Sequence, residues 1–191
     1  MKMNQETIKI NIETYLSQVA VALDKLPLEV VTRIIEAIDQ ARMKGARIYT
    51  FGNGGSAATA SHFASDLSKG TICQGKPRIR AHALVDNMPI FSAWANDTNY
   101  DEIFGEQLEN LVESGDIVIG ISGSGNSANV LRGLEIAKRK GAFTVGLTGF
   151  EGGKLKDIVD ISIIVPSNSM EQIEDVHLLL CHLITCCLRE T

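Results

Sequence analysis

The chain has 191 residues, 45% of them apolar and 21% charged, with a formal net charge of −5; that is enough for one domain with a sizeable core and an ordinary balance for a globular protein. No basic stripe offers a footprint for nucleic acid, no apolar run reaches the length of a bilayer span, and MKMNQETIKINIETYL mixes charge into what a secretory signal keeps apolar. Of the four cysteines, Cys181, Cys186 and Cys187 share one apolar C-terminal segment and Cys73 stands alone, with no CxxC spacing; this reads as reduced thiols in a cytoplasmic protein, not as a disulfide framework.

In chain order, Ile10, Ile12, Tyr15, Leu16, Val19 and Leu23 recur at near-helical spacing and predict an amphipathic helix. Pro27 marks a break, and a second helix is expected over 28–44, stopped by Gly45. RIYTFG (47–52) is a short apolar run ending in glycine, hence a buried strand, and 56–69 reads as a helix. RIRAHALVD (78–86) offers a strand; MPIFSAWAN (88–96) and YDEIFGEQLENLVE (100–113) offer helices. DIVIGIS (116–122) is the clearest strand, SANVLRGLEIAKRKG (127–141) a helix stopped by Gly141, and FTVGLTG (143–149) and DISIIVP (160–166) two more strands. A long apolar helix runs from about Met170 to Arg189. Strands alternating with helices predict an α/β fold, a three-layer α/β/α sandwich around a five-stranded parallel sheet of flavodoxin-like size. The expected organisation is a single domain, with helices in 1–45 and an α/β core over 46–191. The two leading helices must bury their apolar stripes somewhere, which makes them candidates for an oligomer interface.

Two polar loops follow strands and open helices. FGNGGSA fits the loose GxGxxG/A pattern at Gly52, Gly54 and Ala57, but Asp86 comes too late to serve as the ribose-binding acid, so no nicotinamide or flavin cofactor is expected. ISGSGNSAN (121–129) sets the hydroxyls of Ser122, Ser124 and Ser127 around Gly123 and Gly125, just before a helix. Glycines let the backbone approach a ligand, and a helix N-terminus favours an anion. The loop therefore suits a phosphate monoester with no lysine or arginine, and lacks the GK[ST] of a P-loop. Both loops leave the carboxyl edge of the sheet, so one ligand could be held at both, phosphate in the serine loop and hydroxyls near Asn53 and Ser56.

His62 and Asp66 are four apart on one helix and share a face. The last helix carries Glu171, Glu174, Asp175, His177 and His182, with Glu174 and His182 two turns apart. His177 reads as structural and His182 as functional. If the two helices meet, His62, Asp66, Glu174 and His182 form a set suited to zinc or a similar ion, or equally to proton transfer between adjacent carbons. Spacing leaves both open.

GNGGSAATASHFASDL, AWANDTNYDEIF, GISGSGNSANVL, VGLTGFEGGKL and VPSNSMEQIEDVHLLLCH together resemble the sugar isomerase (SIS) domain family, in its phosphoheptose isomerase branch, from about residue 5 to 189. The resemblance implies an aldose–ketose isomerase that converts sedoheptulose 7-phosphate to D-glycero-D-manno-heptose 7-phosphate through a cis-enediol, for surface-polysaccharide heptose. It also implies a homotetramer with sites between subunits and a small phosphosugar as partner, with no nucleic acid and no membrane. It carries substrate contacts onto Asn53, Gly54, Gly55, Asn96 and Asp97 and phosphate contacts onto Ser122, Gly123, Ser124 and Ser127. Asp66, Glu174 and His182 fall on catalytic positions, and His62, Asp66, Glu174 and His182 on those of a possible zinc ion. The pattern departs from the family where Asp66 replaces a usual glutamate, Glu174 a usual glutamine, and Gly123 a usual threonine. Two other functions fit parts of the pattern: a binding protein of this fold associated with the replication initiator, and an isomerase or lyase of another sugar phosphate.

Overall fold

The computed structural model describes residues 4–190. Two helices lead, α1 (Gln5–Asp24) and α2 (Leu28–Lys44). The alternation then runs β1 (Arg47–Gly52), α3 (Gly55–Ser65), β2 (Arg80–Ala83), α4 (Met88–Asp97), α5 (Gly105–Leu111), β3 (Ile117–Ile121), α6 (Ala128–Arg139), β4 (Phe143–Gly149), α7 (Leu155–Ile158), β5 (Ile161–Val165) and α8 (Met170–Glu190). All five strands are parallel, in the order β2-β1-β3-β4-β5, the flavodoxin-like order with its switch point between β1 and β3.

Strand alternation sorts the core into two layers. Ile117, Ile119 and Ile121 of β3 face one side with Val145, Leu147, Ile161, Ile163 and Val165, under α2, α3 and α8. Val118 faces the other side with Tyr49 and Phe51, under α5 and α6. Gly45, at φ +70°, ends α2 in the left-handed conformation that glycine adopts without strain. Arg42 is buried and fastens the base of the first layer, donating to the carbonyls of Pro77 (2.6 Å), Thr71 (3.0 Å) and Leu188 (3.3 Å). It thereby ties the loop after α3 to the end of α8.

Three elements differ from expectation. The helix over 56–69 is α-helical only to Ser65 and continues as a π-helical turn, Asp66–Gly70, a widened geometry that concentrates at functional sites. The helix over 100–113 begins as an isolated 3₁₀ turn, Tyr100–Glu102, because Asn99 accepts the N–H of Asp101 and closes a local turn. The strand over 78–86 is only four residues long, as befits an edge. α1 lies on the outside, with Ile8, Ile12 and Leu16 exposed along one stripe, and the Tyr15 hydroxyl donates to Asp175 on α8 at 2.5 Å. Among the described residues no helix is long and apolar enough to cross a membrane.

Candidate active site

The loops after β1, β3 and β4 lie side by side at the carboxyl edge of the sheet. The serine loop, 122–127, is fixed by backbone bonds to its neighbours. Ser122 N–H donates to Leu147 O (3.0 Å), Gly149 N–H to Gly123 O (2.9 Å) and Leu155 N–H to Gly125 O (3.0 Å). Gly125 has φ +65°, and a Cβ there would stand 2.1 Å from the Gly152 carbonyl oxygen, so neither the dihedral nor the space admits a side chain. Ser127 is the N-cap residue of α6 but makes no side-chain capping bond. Its hydroxyl instead pairs with that of Ser122 at 3.1 Å. Asn129 Oδ1 takes the N–H of Val130, and the N–H groups of Ala128 and Asn129, uncapped by Ser127, are left for an anion with two hydroxyls beside them. Ser124 accepts the Asn126 N–H at 3.2 Å.

In the glycine loop Gly54 is the N-cap of α3, at φ +52° and with no side chain to cap it. Ser56 is buried beneath Gly52. The Asn53 amide is paired with the buried Asn129 and accepts from Tyr100. Asn96 and Asp97, at the end of α4, are exposed and bond each other at 2.9 Å; no bond joins their side chains to the loops.

The last helix runs alongside α3 in the same direction. The Glu174 carboxylate lies where a Cβ on Gly55 would be, 2.7 Å from Oε2, and His182 meets His62 two turns further on. Met170 starts the same face, its sulfur 2.4 Å from a Cβ built on Gly123. His62 Nε2 is 3.4 Å from Asp66 Oδ2 and 3.4 Å from His182 Nε2, and His182 Nε2 is 3.7 Å from Asp66 Oδ2. The expected cluster therefore forms within one chain, but with three members, His62, Asp66 and His182. Glu174 lies outside it, since eight residues of helix separate it from His182 by about 12 Å of rise. Among the described residues no hydrogen bond or ion pair engages its carboxylate.

The three donor atoms fit a divalent cation. With metal–ligand bonds of about 2.1 Å, the edges of a tetrahedron are about 3.4 Å, which matches the three separations. Two imidazoles and a carboxylate on an open surface also match a zinc site that keeps one position free. Both histidines are about half exposed, 48% and 50%.

His177 is a packing residue. It is buried, its Nε2–H donates to the Thr148 carbonyl at 3.1 Å, and Nδ1 has no partner among the described residues. Burial pushes its pKa down to about 4, against the raising effect of that carbonyl, so the ring is neutral. Burial, with the charge of Asp66, raises the Cys181 thiol well above its ordinary value, leaving it inert. A cavity of about 930 Å³ lies away from the cluster, beside the edge strand β2, lined by Tyr49, Ser65, His82, Asp86 and Gln107 among others.

Sequence reading missed Asn129 and Tyr100, which hold Asn53. The available signal was a lone amide among the apolar residues of α6, since a buried polar side chain implies a partner.

Comparison with known proteins gives a consistent result. The model of the SIS domain family matches residues 14–149. The phosphoheptose isomerase of Aliarcobacter butzleri is 41% identical over 183 residues, covering 95% of this chain and 89% of that protein. That of Geobacter sulfurreducens is 37% identical over 167 residues, covering 87% and 88%. Among solved structures, the phosphoheptose isomerase of Neisseria gonorrhoeae superposes with a TM-score of 0.89 at 30% identity, over 98% of this chain and 99% of that one. The one from Francisella tularensis gives 0.90 at 26% identity over the whole of both.

Proposed function

The chain belongs to the SIS domain family, among its phosphoheptose isomerases, and from that premise we propose the specific reaction, the interconversion of sedoheptulose 7-phosphate and D-glycero-D-manno-heptose 7-phosphate. Such an enzyme is an aldose–ketose isomerase that needs no redox cofactor. A base takes a proton from the first carbon, its electron pair closes a double bond to the second, and the ketone oxygen gains a proton. The cis-enediol then takes a proton on the second carbon and gives one up from the first oxygen, so atoms and electrons balance.

One observation carries the assignment of roles. A single face of α8 presents Met170 at the serine loop, Glu174 at the glycine loop and His182 in the imidazole–carboxylate cluster. The phosphate sits against Ser122, Gly123, Ser124, Ser127 and the α6 N-terminus. The sugar extends along α8 past Asn53, Gly54 and Gly55, with Asn96 and Asp97 at its rim. Asp66, 3.7 Å from His182 in the cluster, takes the carbon-bound proton, and Glu174, which nothing else engages among the described residues, meets the sugar at the glycine loop. Asp66, flanked by two imidazoles, orients His62 and His182, and His182 moves protons at the two oxygens. A zinc ion on His62, Asp66 and His182 would polarise the carbonyl as a Lewis acid when bound.

The same reading makes 1–45 an assembly element. Ile8, Ile12 and Leu16 are exposed on α1, and covering such a stripe in a homotetramer would complete each open site with a neighbour's residues. We place the enzyme in the cytoplasm, making heptose for surface polysaccharide.

The test is turnover of sedoheptulose 7-phosphate by the purified chain, with and without zinc, beside Glu174→Gln and Asp66→Asn. Turnover abolished by Asp66→Asn and lowered mainly through KM by Glu174→Gln supports these roles. Tight binding of the sugar phosphate without turnover in either condition would overturn the assigned reaction.

A further inference from the structure

Asn129 and Tyr100 lie outside the residues given roles above, yet together they account for almost the whole hydrogen-bonding capacity of the Asn53 side chain. Asn129 is the second residue of α6 and is buried at 2% exposure. Its Oδ1 accepts the backbone N–H of Val130 at 2.9 Å. A main-chain N–H can only donate, so this bond decides which way the Asn129 amide is turned. Its Nδ2 then points at Asn53, donating to Oδ1 at 2.8 Å, and its Oδ1 accepts from Asn53 Nδ2, also at 2.8 Å. Tyr100 Oη donates to the same Asn53 Oδ1 at 3.0 Å. The orientation passes without ambiguity from a backbone group in α6 to the side chain in the glycine loop.

A carbonyl oxygen has two lone pairs and an amide nitrogen two hydrogens. Both lone pairs of Asn53 Oδ1 and one Nδ2 hydrogen are committed, which leaves a single N–H. We propose that Asn129 and Tyr100 are positioning residues that lock Asn53 as a one-directional donor, so that it recognises an acceptor oxygen of the sugar and cannot itself accept from a hydroxyl. The lock joins the two ligand loops, because Asn129 follows the serine loop by two residues and Asn53 belongs to the glycine loop. Tyr100 adds the 3₁₀ turn after α4, so three separate chain segments meet on one side-chain amide. The inference rests on the placement of the sugar at Asn53.

A double-variant cycle on kcat/KM tests it, using Asn53→Ala, Asn129→Ala, Tyr100→Phe and each pair with Asn53→Ala. Loss of geometry at a substrate contact is expected to lower kcat/KM by at least about tenfold for Asn129→Ala and by about threefold for Tyr100→Phe. In the Asn53→Ala background each should then cost less than about twofold, because the group they position is gone. A purely structural role would lower kcat/KM by the same factor in both backgrounds, and that result overturns the proposal. Tyr100 is half exposed, so its phenylalanine variant keeps the test sound should Asn129→Ala fold poorly. If Asn53→Ala alone leaves kcat/KM unchanged, the placement of the sugar fails and the proposal with it. A deficit in Asn53→Ala with undiminished losses in the paired variants overturns the lock alone.

Discussion

The serine loop and the imidazole–carboxylate cluster stand twelve residues apart along α8 and are made of different materials. The serine loop is mainly backbone, pinned by N–H···O bonds from Gly149 and Leu155 and shaped by a glycine that admits no Cβ. The cluster is all side chain, three groups from two helices, half open to solvent. An anion with three equivalent oxygens can be held by fixed dipoles that never change protonation. Moving protons, or gripping a cation, needs groups that do. Binding and chemistry are therefore separable, and variants should damage one while sparing the other.

The largest separation is expected at His182. His182→Ala should lower kcat by about 1,000-fold, within the range of a lost general acid–base group, while sugar-phosphate affinity by calorimetry stays within about twofold. The same variant removes one of three donors, so zinc affinity should fall as well. Affinity for the sugar phosphate falling along with kcat would show that the two ends are not independent.

His177 sharpens the comparison from beneath the serine loop, where a third imidazole is kept uncharged. Its pKa is about 4 in the fold against an ordinary value of 6.5. Between those pH values the unfolded chain binds the proton and the folded chain does not. The contribution to stability is therefore complete above pH 6.5, is lost as the pH falls through this window, and is gone by pH 4. A shift of this size corresponds to about 3 kcal/mol. Urea unfolding between pH 7 and 4 should show a steeper loss for the native chain than for His177→Gln, whose amide can keep the bond to Thr148. Parallel profiles would mean that His177 is reached by water.

How much of this was legible in the sequence follows from the same contrast. The serine loop was readable because its residues are consecutive and their chemistry is local: glycine spacing, hydroxyls and a helix start. The sheet was readable because the IVIGI of DIVIGIS is apolar throughout and FTVGLTG carries no charge, as suits strands covered on both faces. The pairing of His62 with Asp66 came from helical spacing, but the arrival of His182 depends on α3 and α8 packing side by side, a contact between residues 120 positions apart. Spacing also put Glu174 with the cluster; the parallel run of the two helices instead sets it at Gly55. The hold of Asn129 on Asn53 joins residues 76 apart; the lone amide in α6 announces a partner but not which one.

The serine loop holds a large expected effect and the smallest one, because its two glycines make opposite demands. Gly125→Ala sets a Cβ 2.1 Å from a backbone carbonyl at φ +65°. The loop must shift by an ångström or more, which should raise KM on the order of 100-fold while leaving zinc affinity unchanged. A Cβ on Gly123 crowds the sulfur and methyl of Met170, the end of a flexible side chain at 39% exposure, and meets Ile173 only at ordinary van der Waals distance. Met170 can turn aside at a cost below about 1 kcal/mol, and the backbone N–H groups to which the proposal assigns the phosphate remain. Gly123→Ala should therefore change KM less than about threefold, and Gly123→Thr should be tolerated better with Met170→Ala than alone. If Gly123→Ala proves as damaging as Gly125→Ala even with Met170 truncated, the anion needs the bare backbone at residue 123 and approaches the loop more closely than the hydroxyls of Ser122 and Ser127 require.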